Sequence, residues 1–390
     1  MQHKFDDSLN HSTFFKNRFL LLDVMRAFAV LMMIQGHTAD ALLHPAYLDH
    51  SAISWKIWEF FRGLTAPIFL FGSGFAYVIA TLRKMENGKL PHSVYVKRLR
   101  WIAVLYVTGS LMHIPKPSLP EIQAMTSAQW SVFFQVDILR HMAVSLLLLL
   151  GIFSLCRSLK QILITTSIIG GSIILFTPIA HDIHWMAFLP EPIAAHFSMQ
   201  TGSFFPLFPF AGYLFAGSTA AAIYLMWEKN GLSSILAKRY TIAALIFITA
   251  SFIFDNVPLQ IYPTYNYWKT SPNLFLFRVG CVLLLWAGFQ QIIRHIKNMP
   301  QIIPIIGQHT LSIYASHVIF LYGCAWYNGL TFWFGKVLTP LQIVGIILFL
   351  LIGSAGLAYS LNYLKINSKL AYRGIQFAAT AGIAFLIILR

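Results

Sequence analysis

Eleven apolar runs follow one another along the chain, at about 19–39, 56–82, 101–114, 138–156, 161–180, 203–227, 240–255, 273–293, 309–328, 338–362 and 372–389. A helix needs roughly 20 apolar residues to cross a bilayer, so 390 residues hold about ten or eleven such spans and little else. Only 11% of the residues are charged, against about 25% in an average soluble domain. A soluble enzyme, a disordered scaffold and a nucleic-acid-binding module are thereby excluded. The expectation is an all-α fold: a polytopic integral membrane helical bundle of about 11 transmembrane helices. It consists of a polar tail over 1–18 and a single membrane domain over 19–390. The third and last runs are short.

Basic residues orient the set. The tail, the loop holding Arg83, Lys84, Lys89, Lys97, Arg98 and Arg100, and the loops around Arg157, Lys229, Arg294 and Lys365 carry nineteen of the 28 Lys and Arg. The alternate loops hold only Lys56, Lys116, Lys269, Lys336 and Arg390. By the positive-inside rule the N-terminus is cytoplasmic, and the net charge of +15 reflects topology and no nucleic-acid partner. No small-residue cleavage site follows the first apolar run, so residues 1–18 read as a retained cytoplasmic tail. Cys156, Cys281 and Cys324 are scattered and form neither a disulfide framework nor a Cys-x-x-Cys motif.

Four arginines remain inside predicted spans: Arg26, Arg62, Arg140 and Arg278. An ionisable group there is costly unless paired or hydrated. Asp23, Glu59 and Asp137 each stand three residues before one of them, on the same helix face. Taken alone, such pairs are as well explained by structural ion pairing as by function. The first span says more. Arg26 and His37 are eleven residues apart, which returns nearly to one helix face with a rise of about 16 Å. A lined path from a cytoplasmic arginine to an outer histidine follows. Glu59, Arg62, Asp137, Arg140, Arg278 and His317 fall at the outer level and are candidates to line a cavity there. His181, His184 and His196 share an outer loop, but their spacing matches no tight ligand motif, and no metal is expected.

Taken in order, Asp23-Val24-Met25-Arg26, Thr65 to Gly74, Val136 to Arg140, Phe205 to Phe210, Ser271-Pro272-Asn273 and Tyr314 to His317 resemble the bacterial relatives of heparan-alpha-glucosaminide N-acetyltransferase. The arginine–histidine spacing is similar to that of the membrane acyltransferase-three family. Ala27 departs from the glycine common after that arginine.

The resemblance implies transfer of an acetyl or short acyl group from cytosolic acetyl-CoA to a hydroxyl or amine. The acceptor is a sugar, glycan or glycolipid at the outer face of a bacterial plasma membrane. Asp23 and Arg26, with the basic loop, would anchor the donor's phosphates. His37 would act as general base or acyl carrier. Asp40 would orient its ring, while Arg62, Arg140 or Arg278 would steady the oxyanion or hold the acceptor. Membrane lipids surround such a protein, and homo-oligomers are allowed. The rival reading is a secondary transporter of a small polar or anionic solute, which embedded arginines and the Pro67–Gly72–Gly74 stretch would also suit. A haem or quinone carrier is a third.

Overall fold

The computed structural model describes residues 20–374 apart from 87, 230–235, 258–260, 264 and 297. Among them the chain forms sixteen α-helices and only isolated β-bridges. The first eight helices are α1 (Leu20–Leu42), α2 (Ile53–Gly63), α3 (Thr65–Leu82), α4 (His92–His113), α5 (Leu119–Gln123), α6 (Ser127–Phe134), α7 (Ile138–Leu155) and α8 (Leu159–Asp182). There follow α9 (Glu191–Ala194), α10 (Leu207–Lys229), α11 (Leu236–Asn256), α12 (Pro272–His295), α13 (Ile302–Gln308), α14 (Thr310–Tyr322), α15 (Leu330–Phe334) and α16 (Pro340–Asn367). With no water in the bilayer core, a helix satisfies its backbone groups internally, which is why these apolar runs adopt it.

Among the described residues, eight helical stretches are long and apolar enough to cross a membrane, α2 and α3 counting together as one. The expected second run is broken at Leu64, between α2 and α3. Pro67 explains the break: it has no N–H to donate, and its ring would collide with the carbonyl four residues earlier in a continuous helix. The third run extends backwards into α4, whose first half carries Lys97, Arg98 and Arg100, and α4 is not among the eight. The ninth ends early, at Tyr322, where Gly323 takes a φ of 84° that a residue with a side chain rarely adopts. At 13 residues α14 is about 20 Å long, short of a full bilayer core. The tenth run is longer than expected, reaching Asn367 behind a Thr339–Gln342 capping box. All but the first few residues of the eleventh lie outside the described residues.

The chain divides into two compact units that it enters more than once. One contains Ala66–Gly109 and Phe134–Lys297. In it α8 lies along α10, α11 pairs with α12, and Trp286, Phe71, Phe75 and Tyr213 form the buried aromatic centre. There α3 and α10 cross with backbones almost touching. A Cβ on Gly74 would lie 1.9 Å from the Leu214 carbonyl oxygen, and one on Gly217 would lie 1.9 Å from that of Phe71. Association between membrane helices is driven by such close packing, which only small residues permit.

The other unit contains Asp23–Thr65, Ser110–Phe133 and Asn298–Arg390. It holds most of α1, together with α2 and the α13–α16 group. Gly307 of α13 seats against the carbonyl oxygen of Asp23, 2.1 Å from where its Cβ would be. The end of α1 is fastened to the segment before α16 by paired backbone hydrogen bonds, His44 N–H to Leu338 O and Leu338 N–H to Leu42 O, each 3.0 Å.

Candidate functional site

Four of the expected residues meet in this second unit. His37 stands five residues before the end of α1, and its Nδ1 lies 3.0 Å from Nε2 of His317 on α14. The two rings are stacked, with centroids 5.2 Å apart and planes 16° from parallel. His317 is almost fully buried, and its Nδ1 lies 2.7 Å from the Ile313 carbonyl, one helical turn back.

This chain of contacts fixes where the protons sit. A carbonyl oxygen only accepts, so Nδ1 of His317 must carry the hydrogen. In the neutral ring its Nε2 is then an acceptor. The hydrogen between the two rings therefore belongs to Nδ1 of His37, and Nε2 of His37 keeps a bare lone pair. A ring whose far nitrogen is held as a donor, leaving the near one free to take a proton, is the arrangement required of a general base or nucleophile.

Tyr322, at the end of α14, frames the same histidine. Its hydroxyl donates to the His37 carbonyl oxygen at 3.2 Å and its ring meets the imidazole edge-on at 6.2 Å. One turn beyond His37, Asp40 accepts from Nη1 of Arg62 at 2.7 Å. The arginine stem passes over Gly36, whose Cβ would stand 3.0 Å from Arg62 Cγ, and its guanidinium lies 5.3 Å from the centre of the Trp58 ring. Asp40 is thus occupied by Arg62, and the partner that orients the His37 ring is His317. Nor does Glu59 take Arg62: it faces His50 at 3.3 Å on the exposed side of α2. Asp23 and Arg26 lie on the same continuous helix as His37, Asp23 buried and Arg26 half-buried.

Asp137, Arg140 and Arg278 belong to the first unit. Asp137 caps α7, accepting from the Arg140 backbone N–H at 3.0 Å and from Arg140 Nε at 3.2 Å. Both side chains are almost wholly buried. Gly109 makes the space, since a Cβ there would come within 2.8 Å of Asp137 Oδ1. Arg140 also donates to the Gln135 carbonyl. In the loop between α8 and α10, burial pushes the His196 imidazole down to about 4, and the nearby Arg140 cation adds to this. Arg278 is half-buried beside Tyr213. Among the described residues no group of three or more His, Cys, Asp or Glu could hold a metal ion.

Sequence reasoning missed Tyr322, Gly36 and the Ile313 carbonyl. Only the last had a local signal, since a histidine on a helix can reach the carbonyl four residues back.

A family model described as "Heparan-alpha-glucosaminide N-acetyltransferase, catalytic" matches residues 18–254. That stretch includes Asp23, Arg26, His37, Asp40, Glu59, Arg62, Asp137 and Arg140, while Arg278 and His317 lie beyond it. A search of curated proteins found no match.

Proposed function

The chain belongs to the heparan-alpha-glucosaminide N-acetyltransferase family, and from that premise we propose that it moves an acetyl group from acetyl-CoA to the amine of a glucosamine-type sugar, with His37 at the centre of the reaction. The observation that carries this reading is the bare Nε2 of His37, set by the hydrogen-bond chain through His317 to Ile313.

In the direct course, Nε2 takes the proton of the acceptor nitrogen as that nitrogen attacks the thioester carbonyl. The C–N bond forms and the C–S bond breaks. The CoA thiolate leaves and recovers the proton from the imidazolium, so His37 returns to its starting state. The same lone pair can instead attack the thioester itself, giving an acetyl-histidine that the amine then resolves. Arg62, held by Asp40 close along α1, is the cation for the developing oxyanion. A hydroxyl acceptor would follow the same course and yield an ester.

The distribution of Lys and Arg supports a cytoplasmic N-terminus, hence a donor entering from the inner side and an acceptor met at the outer face. In that orientation Arg26 lies about 16 Å below His37 on one face of α1, positioned for the donor's polyanionic end. A bacterial plasma membrane is the setting we infer.

The test is acetyl-CoA turnover by the full-length protein in nanodiscs, with and without glucosamine, measured as thiol release and as N-acetylglucosamine formed. Wild-type protein should yield both products, and His37→Ala should yield neither while retaining the folded state. Unimpaired transfer in His37→Ala would remove this mechanism. Counterflow of a sugar without acetyl transfer would restore the transporter reading.

A further inference from the structure

A shallow cleft of about 260 Å³ opens in the first unit, where α7 ends and α4 begins. Lys89, Leu90, His92 and Tyr95 line one side of it, and Ser154 and Arg157 the other. Two of the six carry cationic side chains, three more present N–H or O–H donors, and no carboxylate lines the cleft. Among the described residues neither Lys89 nor Arg157 is in an ion pair.

The backbone fixes where both cations start. Glu86 and Lys89 exchange backbone hydrogen bonds of 2.9 Å each around Gly88, whose φ of 71° suits glycine. The Arg157 backbone N–H donates to Gln161 Oε1 at 2.7 Å, beside the Ser158 cap of α8.

A second observation comes from α7 itself. Leu147, Leu148, Gly151, Ser154 and Leu155 are all exposed, and their spacing puts them on one face of the helix. Leu155 is 80% exposed, and no atom stands within 4 Å of where a Cβ on Gly151 would be. Because α7 is long and apolar enough to cross a membrane, this uncovered and mostly apolar stripe meets hydrocarbon. It runs about 12 Å along the helix and reaches the cleft at Ser154.

We propose that the cleft is the headgroup site of an anionic glycerophospholipid, with the lipid phosphate among Lys89, His92 and Arg157 and an acyl chain along the α7 stripe. Two cations and three hydrogen-bond donors recognise a phosphodiester. A zwitterionic headgroup would bring a cation of its own against Lys89 and Arg157. A soluble phosphate would meet the cations and leave the stripe empty. Basic pockets between membrane helices on the cytoplasmic side are where such headgroups settle, and the distribution of Lys and Arg supports that side for the end of α7. Lipid binding here is independent of acetyl transfer.

The experiment uses the full-length protein, delipidated in detergent, with native mass spectrometry following dioleoylphosphatidylglycerol and dioleoylphosphatidylcholine. Wild type should bind its first phosphatidylglycerol at least tenfold more tightly than phosphatidylcholine. Lys89→Gln and Arg157→Gln should each weaken phosphatidylglycerol about fivefold, the worth of one cation at a charged surface, and leave phosphatidylcholine within twofold. Both side chains are exposed, so the fold does not depend on either. Ser154→Asp puts a carboxylate in the cleft and should erase the preference between the two lipids. Millimolar coenzyme A or inorganic phosphate should fail to displace the lipid.

Equal affinity for the two lipids in wild type, or unchanged phosphatidylglycerol affinity in both glutamine variants, overturns the proposal. Displacement by coenzyme A or by phosphate overturns the lipid as occupant and gives the cleft to a soluble phosphate.

Discussion

Replacing His317 with Phe keeps a flat ring on α14 and removes the acceptor that Nδ1–H of His37 uses. Two consequences follow from the geometry. The hydrogen bond that favours the active tautomer is lost, and the Nδ1–H that made it is left without a partner in a half-buried place. Leaving such a donor unsatisfied costs about 1–3 kcal/mol. That cost falls on the reactive tautomer, because moving the proton to Nε2 relieves it. The population with a bare Nε2 therefore falls by about 5- to 150-fold, and kcat falls with it.

Binding of acetyl-CoA does not involve this proton, so the donor KM should hold within about twofold. His317→Gln offers an amide oxygen near the lost Nε2 and should recover part of kcat. The assay is steady-state thiol release with glucosamine as acceptor, comparing wild type, His317→Phe and His317→Gln. A His317→Phe enzyme with kcat within twofold of wild type would refute the reasoning. So would a loss that appears wholly in the donor KM.

Two other predictions concern the unit that holds Asp137. Asp137→Ala removes an α7 cap and leaves the Arg140 guanidinium buried without its carboxylate; the expected loss of stability is about 3–5 kcal/mol, seen as a lower unfolding temperature or a failure to purify as a monodisperse species. Wild-type stability at pH 7 in that variant would contradict the pairing. His196 is held neutral well below its unfolded value, so the unfolded chain binds a proton first as pH falls. Stability should decline from about pH 6.5 down to about 4, and His196→Gln should flatten that part of the profile in thermal unfolding.

Much of the fold was legible because a bilayer leaves the chain few choices: a long apolar run becomes a helix. The misreading lies where a single residue overrides the run, as Gly323 does after α14, whereas the turn before Pro67 leaves α2 and α3 within one span as expected. Local pairing was legible in the same way. Asp137 and Arg140 meet because capping geometry brings residues three apart together at a helix start. The analogous reading of Glu59 with Arg62 fails because a better partner is available on another helix: Gly36 opens a path to Asp40, while Glu59 finds His50.

The Arg26–His37 register was visible as one face of one helix. The contact that gives His37 its tautomer was not, since His317 lies 280 residues away and nothing in the local pattern of either segment points to the other. Tyr322 was invisible for a similar reason: its role depends on the close approach of α14 to α1.

The account turns on the proton at His37, and that proton can be observed. Protein carrying ¹⁵N-histidine, reconstituted in lipid, gives distinct nitrogen resonances for protonated and bare ring nitrogens, and the signals missing in His37→Gln identify that ring. The hydrogen-bond chain predicts a protonated Nδ1 and a bare Nε2 at neutral pH. A His37 protonated on Nε2, or on both nitrogens, would contradict it and leave the site without the base its chemistry needs.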